Sequence, residues 1–280
     1  MSQYHLDGFA LVVGAAGGIG EEVAYSFAEA GVKGILLADI NSEATEKAMV
    51  KSKSLASNPS CRCISTTVDV TSLQSVEEMV KLMVKEFGRI DYCVNAAGVD
   101  VATYCPIDQT DPDDYDRVMA INTKGMFLVI RAVAQVMKSQ EPSIINLGRH
   151  GDRDAGRGSI VNVSSTMAVV AVEGKIAYAT SKHAITGVTR AAVAVMDYKS
   201  VGIRTNQVCP IWVRTPMFTE ECRKVPQTPQ IVEGLSSVKR PIEPDEVAAA
   251  CLYLCTPGAV AVNGLTLTID TGLTAGPMVI

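Results

Sequence analysis

The sequence predicts an α/β chain built on a doubly wound, parallel sheet of about seven strands. Three observations predict it: short apolar runs alternate with helix-like periodic stretches, a glycine cluster follows the first run, and no shift in composition divides the 280 residues. Strands separated by helices pair in parallel, because each right-handed crossover carries its helix over one face of the sheet. Such strands are covered on both faces and read as near-continuous apolar runs.

FALVVG (9–14) is a short apolar run ending in glycine, and EEVAYSFAEAG (21–31) shows helical spacing closed by a glycine. GILLADI (34–40), CRCISTTVDV (61–70) and IDYCVNAAG (90–98) read as strands, with helical stretches over 42–57 and 72–87 between them. The alternation continues through a helix near 111–138, strand SIVNVSS (159–165), a helix over 177–198 and strand IRTNQVC (203–209). A helix over 244–256 and strand LTLTID (265–270) complete it. With no linker, low-complexity tract or repeat, the expectation is one domain over 1–280. Two stretches break the rhythm. Residues 139–158 are polar and charged and read as a solvated surface insertion. Residues 213–243 hold four prolines and follow a strand at the sheet's carboxyl edge, where ligands bind, so they read as a substrate lid.

Composition narrows the function classes. The chain is 48% hydrophobic and 20% charged, with a formal net charge of −5. An acidic balance argues against nucleic acid, which favours a basic face that displaces counterions. There is no basic block for an anionic membrane and no apolar tract reaching about 18 residues. The first residues lack a positive leader. A soluble, cytoplasmic protein is expected. Eight cysteines fall without a Cys-x-x-Cys pair, and only three histidines accompany them, so free thiols are expected and no metal site.

GAAGGIG (14–20) sits where the first strand ends and a helix begins. Gly14, Gly18 and Gly20 let the backbone turn tightly and approach a pyrophosphate, whose charge meets the N–H groups of the following helix. About twenty residues later Asp39 ends the second strand, positioned either as a helix cap or to accept hydrogen bonds from an adenosine ribose. In the second case the cofactor is NAD. A 2′-phosphate about 4 Å from that carboxylate costs on the order of 1–4 kcal/mol per unit charge at effective dielectrics of about 80 down to 20. Ala15, Ala16 and Gly17 bring no cation to offset it.

AYATSKHA (177–184) carries Tyr178 and Lys182 four apart, hence on one face of a helix. Tyr-x-x-x-Lys also arises by chance on helix surfaces. Read as a pair, the two groups make a tuned acid/base: moving a phenol from about 10 to about 7 takes roughly 4 kcal/mol, at about 1.4 kcal/mol per unit. One ammonium about 4 Å away supplies a term of that order in a partly desolvated site.

Together GAAGGIG, NAAG (95–98), Asn122 in INTKG, SIVNVSS, YATSK and CPIWVRTP resemble the classical short-chain dehydrogenase/reductases, in the family's order and over about residues 8–272. The resemblance implies a Rossmann fold and hydride transfer between a nicotinamide cofactor and a secondary alcohol or ketone. It implies a catalytic tetrad of Asn122, Ser165, Tyr178 and Lys182. Ser165, not Ser164, precedes the tyrosine by the family's thirteen residues. By the same resemblance Asp69 and Val70 contact the adenine, and Asn95 to Gly98 stabilise the central sheet beside the cofactor, with Asn95, Ala96 and Gly98 counted among the cofactor residues. Ile19, Pro210, Val213 and Thr215 line its path, Lys182 holds the nicotinamide ribose, and Asn122 holds a water that links Lys182 to solvent. The matching helices, 111–138 and 177–198, pair in the family across two-fold interfaces, implying a homodimer or homotetramer.

Two departures stand out. Val13 replaces a common threonine, and Pro210-Ile211-Trp212 replaces the usual Pro-Gly, placing a β-branched side chain beside the expected nicotinamide site. Trp212, the chain's one tryptophan, is either core packing or substrate-facing. The charged insertion and this turn resemble family members of fungal secondary metabolism, which implies a small, cyclic substrate. A non-redox cofactor binder or a cyclase/isomerase on the same scaffold is the alternative, since fold alone does not choose between functions.

Overall fold

The computed structural model describes residues 4–194 and 202–276. The first turns of the chain build β1 (Phe9–Val13), α1 (Gly18–Glu29), β2 (Gly34–Asp39), α2 (Ser42–Leu55), β3 (Arg62–Thr67), α3 (Leu73–Phe87) and β4 (Tyr92–Asn95). Then come α4 (Pro112–Met119), α5 (Met126–Ser139), β5 (Ile144–Asn146), β6 (Asp152–Asp154), β7 (Gly158–Val163) and α6 (Ile176–Ala194). The remainder holds β8 (Ile203–Pro210), α7 (Pro216–Lys224), α8 (Thr228–Leu235), α9 (Pro244–Cys255) and β9 (Thr266–Ile269).

Seven strands form one sheet in the order β3-β2-β1-β4-β7-β8-β9, every pairing parallel, as the alternation predicts. Successive side chains on a strand face opposite ways, so a sheet covered twice must divide each strand between two cores. It does. Ala10, Val12, Ile35 and Leu37 pack with α1 and α9 residues such as Phe27 and Leu252, while Leu11, Val13, Leu36 and Ala38 pack with α3 and α5 residues such as Met83 and Val133.

Helix ends follow local chemistry. The Asn41 side chain caps α2 by accepting from Ala44 N–H, and Ser72 caps α3 by accepting from Ser75 N–H. Gly88 stops α3 in the left-handed region at φ 79°, donating to the Val84 carbonyl. The helix expected over 111–138 is α4 and α5 joined by a π turn at Ala120–Gly125. In the 139–158 insertion, β5 and β6 form a separate antiparallel hairpin with mostly exposed side chains, in keeping with a solvated insertion. The aperiodic 213–243 stretch contains α7 and α8. Residues 195–198 of the expected 177–198 helix lie outside the described residues. No helix among the described residues is long and apolar enough to cross a membrane.

Candidate active site

Strand order reverses between β1 and β4, because the chain leaves β1 toward β2 and leaves β4 toward β7. Connections on either side depart in opposite directions there, leaving a crevice at the carboxyl ends of the strands. The glycine cluster forms its floor. Gly14 adopts φ +83°, and a Cβ on it would lie 2.4 Å from the Ala97 nitrogen. A Cβ on Gly20 would lie 1.9 Å from the Gly14 carbonyl oxygen, so only glycine lets α1 approach the turn this closely. Gly18 opens α1, and its N-cap, Gly17, has no side chain to cap the first N–H groups. Nothing lies within 4 Å of where a Gly17 Cβ would be. These free donors, at the positive end of the helix dipole, adjoin a cavity of about 720 Å³.

Gly14, Gly18, Ile19, Asp39, Asp69 and Val70 all line that cavity, and among the described residues no lysine or arginine does. The Asp39 carboxylate accepts from Ala16 N–H at 3.1 Å and Asn41 N–H at 3.0 Å. It ties the glycine turn to the end of β2, while the cap of α2 is Asn41. This decides against the helix-cap role for Asp39. Asp69 is held by Thr71, whose N–H and hydroxyl both donate to its Oδ1.

A second cavity, of about 250 Å³, joins the first along Ile19, Ala96, Gly98, Thr215 and Met217. Ser165, Tyr178 and Lys182 line it. Tyr178 and Lys182 lie one turn apart on α6, with the ammonium 5.2 Å from the phenol ring centroid. Ser165 follows β7 and lines the same cavity, its Oγ accepting from Met167 N–H at 3.2 Å. Its neighbour Ser164 turns into the packing and donates to the Lys182 carbonyl at 3.4 Å. Burial pulls Lys182 down to about 8. Burial likewise raises the Tyr178 phenol well above its ordinary range; Asp100 and Glu221 add to the rise and Ser165 opposes it. The sequence leads to a phenol lowered by Lys182 together with the charge of an oxidised nicotinamide; in the chain alone, burial moves it the other way.

Other expected residues are displaced from the wall. Asn122 is fully buried on the π turn, its amide donating to the Val99 carbonyl at 2.9 Å and Ser181 Oγ at 3.0 Å while its Oδ1 accepts from Val99 N–H. Both side-chain donors are therefore engaged, and Asn122 clamps the 95–99 segment to α6. A Cβ on Gly98 would stand 3.4 Å from Asn122 Oδ1 and 3.5 Å from Lys182 Nζ, which shows how closely the three meet. Asn95 also lies behind the wall, donating to the Met126 carbonyl at 3.3 Å, so it supports the site from the core rather than facing a cofactor. Pro210 and Val213 line the smaller cavity. Thr215 caps α7, accepting from Phe218 N–H while donating to the Val213 carbonyl.

Comparisons agree with this geometry. The sequence profile of the family described as enoyl-(acyl carrier protein) reductase matches residues 14–274. The chain is 37% identical to a short-chain dehydrogenase of Penicillium roqueforti over 96% of each chain. It is 36% identical to a short-chain dehydrogenase of Aspergillus ruber over 98% of this chain and 99% of that one. The chain belongs to the short-chain dehydrogenase/reductase family. Among solved members, levodione reductase superposes with a TM-score of 0.85 at 27% identity, covering 98% of this chain and all of that one. An actinorhodin polyketide ketoreductase superposes with a TM-score of 0.81 at 26% identity, covering 98% of this chain and 99% of that one. As a member of this family the chain is an oxidoreductase of the nicotinamide-binding type.

This short-chain dehydrogenase/reductase also carries site residues that the sequence did not single out. Lys175, one turn before Tyr178, pairs with Asp100 at 2.9 Å and Glu221 at 3.0 Å. Trp212 lines the cavity and packs against the core, and its indole N–H donates to Glu221 at 3.2 Å. Core packing is thus present, and the ring also borders the cavity. The i−3 spacing of Lys175 from Tyr178 was the available signal; nothing in sequence linked it to carboxylates at 100 and 221. Among the described residues no group of three or more His, Cys, Asp or Glu could hold a metal ion.

Proposed function

We propose that this chain is an NAD-dependent oxidoreductase, one domain over 1–280, that interconverts a secondary alcohol and a ketone on a small, cyclic, secondary-metabolite-like substrate. The observation that carries the reading is the meeting of Ser165, Tyr178 and Lys182 where an apolar cavity joins a glycine-floored one. The fungal relatives and the likeness to a polyketide ketoreductase support the substrate class.

The residues fit the cofactor. Free N–H groups at the start of α1 would hold the pyrophosphate, Asp39 the adenosine ribose, and Asp69 with Val70 the adenine side. Ile19, Ala96, Gly98 and Thr215 would wall the passage to the reacting end, and Lys182 would hold the nicotinamide ribose. The bound nicotinamide supplies or accepts the hydride. Ser165 orients the substrate oxygen and stabilises negative charge developing on it. Tyr178, held protonated by burial, gives its proton to a carbonyl oxygen in reduction and takes it back in oxidation. The 213–243 segment acts as a lid that keeps bulk water from this transfer. A homodimer or homotetramer, working in the cytoplasm on a small molecule with neither nucleic acid nor membrane as partner, completes the reading.

Loss of the reduced-nicotinamide absorbance with a panel of cyclic ketones tests the reaction, and parallel titrations with NADH and NADPH test the cofactor. Turnover with a NAD preference of roughly ten- to a thousandfold is expected, the range of about 1.4–4 kcal/mol. No turnover across the panel despite NADH binding would assign the scaffold to a non-redox role. Light scattering should give at least twice the 29.7 kDa chain mass, and a 29.7 kDa species at micromolar concentration would refute the oligomer.

A further inference from the structure

The smaller cavity has a mostly apolar wall, including Met167, Val170, Val172, Met217, Phe218 and Leu235. Apart from the Ser165-Tyr178-Lys182 group, its charged residues are Lys175 and Glu221. The side chains of Lys175, Asp100 and Glu221 are 6%, 10% and 16% exposed. Each polar end is partnered: Tyr104 donates its hydroxyl to Asp100 Oδ2 at 2.7 Å, Trp212 donates to Glu221 Oε1, and Lys175 donates to both carboxylates. Four distant segments meet here: the loop after β4, the residue before α6, the turn after β8, and α7.

An ion pair of this kind is a poor way to fasten α7 alone, because desolvating the charges offsets most of their attraction and apolar side chains of similar volume hold as well. It is a good way to recognise something. The two wall residues offer a cationic donor and an anionic acceptor side by side in the cavity that Tyr178 also lines, with the Lys175 ammonium over the Tyr178 ring, 5.5 Å from its centroid. With Asp100 behind Lys175 the group carries two carboxylates against one ammonium. The neighbouring Lys224 donates to the Val101 carbonyl and does not line the cavity. A substrate carboxylate or phosphate would be repelled there. A neutral hydroxyl matches, accepting from Lys175 while donating to Glu221.

We propose that Lys175 and Glu221 are specificity-determining residues that bind a neutral hydroxyl carried by the substrate on the side away from its reacting carbon. The inference rests on the proposed alcohol–ketone reading of the same site and names its substrate class more closely: a hydroxylated ring ketone, or the corresponding diol, without an anionic group.

Three matched compounds test it: cyclohexanone, 4-hydroxycyclohexanone and 4-oxocyclohexanecarboxylate, each measured for kcat/KM with NADH and for binding to the protein–NADH complex by calorimetry. Sites built to bond a hydroxyl discriminate strongly against analogues lacking it. The wild-type chain should prefer 4-hydroxycyclohexanone over cyclohexanone by at least about tenfold and disfavour the carboxylate by a similar factor. Glu221→Gln and Lys175→Met should each shrink the hydroxyl preference to within about threefold. Equal wild-type handling of the first two compounds overturns the inference even if a variant fails to fold. Equal losses on both compounds in the variants also overturn it, leaving the cluster as a clamp for α7. Tighter binding of the hydroxy compound without turnover supports the recognition site while refuting the redox reading; no binding of any of the three overturns both.

Discussion

The two halves of the cleft are made of different material. The half under the first βα turn is backbone: glycines, free helix N–H groups, and the carboxylate of Asp39 bracing the turn through Ala16 and Asn41. The half around Tyr178 is side chain, and its charges are largely buried: Lys182 on α6, with Lys175, Asp100 and Glu221 drawn from three segments. A backbone site tolerates change in side chains but not in the space its glycines leave open. A side-chain site depends on charges whose titration shifts with burial, so chemistry there answers to pH and to single substitutions. On the proposed reading, recognition of the cofactor and control of the proton fall to separate parts of one crevice.

The largest effect should come from the side-chain half. Tyr178→Phe removes only the hydroxyl, so turnover should fall by about 10²–10⁴ while NADH affinity changes less than twofold; stopped-flow absorbance with parallel fluorescence titration measures both. Comparable turnover would remove Tyr178 from the chemistry. Next comes Lys182, which titrates at about 8 when folded and near 10.4 when unfolded. Its burial therefore destabilises the fold below pH 8, and that penalty fades as pH rises from about 8 to 10.4, because the unfolded chain binds the extra proton across that window. Lys182→Met should raise the stability of the cofactor-free protein at pH 7 by up to about 3 kcal/mol, with little gain near pH 10. Urea unfolding at the two pH values reads this directly, and a less stable variant at pH 7 would contradict it.

A smaller effect is expected in the backbone half. Asp39→Ala should reduce the NAD over NADP preference by about tenfold, or about 1.4 kcal/mol, as repulsion of the 2′-phosphate is lost. An unchanged ratio in direct titrations would confine Asp39 to bracing the glycine turn. The smallest should come from outside the cleft. Replacing Ile145–Arg153 with a short turn should change stability by less than about 1 kcal/mol and leave kcat/KM within twofold, since the β5–β6 side chains are mostly exposed. A larger loss of activity would show that the hairpin reaches the site.

This division also explains what was legible in the sequence. The alternation of strands and helices, the glycine turn, Asp39 at the end of β2 and the Tyr178–Lys182 pair on one helix depend on short-range spacing, and each appears where its spacing placed it. The signals for α7 were present as well: Thr215 is a favoured cap and Pro216 a favoured first helical residue, but four prolines in one stretch read as loop. The pairing of Lys175 with Asp100 and Glu221 spans 75 and 46 residues, distances over which no periodicity carries information. Desolvation, the largest cause of the Tyr178 rise, is set by the packing around the ring, and the Asp100 and Glu221 carboxylates that add to it come from distant segments, so neither is written in the Tyr178–Lys182 spacing. The sequence does not carry the commitment of the Asn122 amide to Val99 and Ser181, which lie 23 and 59 residues away.

The π turn at Ala120–Gly125 has a mechanical consequence. An uninterrupted α-helix advances about 100° per residue, so all its apolar positions serve a single azimuth. Widening the turn lets the rod change phase part-way along. Before it, Val118 of α4 joins the small cluster of Val101, Ala177 and Tyr178; after it, α5 gives Met126, Val129, Val133 and Met137 to the core beneath the sheet. One continuous length of chain thus carries two separate loads, the shelf under the Tyr178 ring and the core against the sheet.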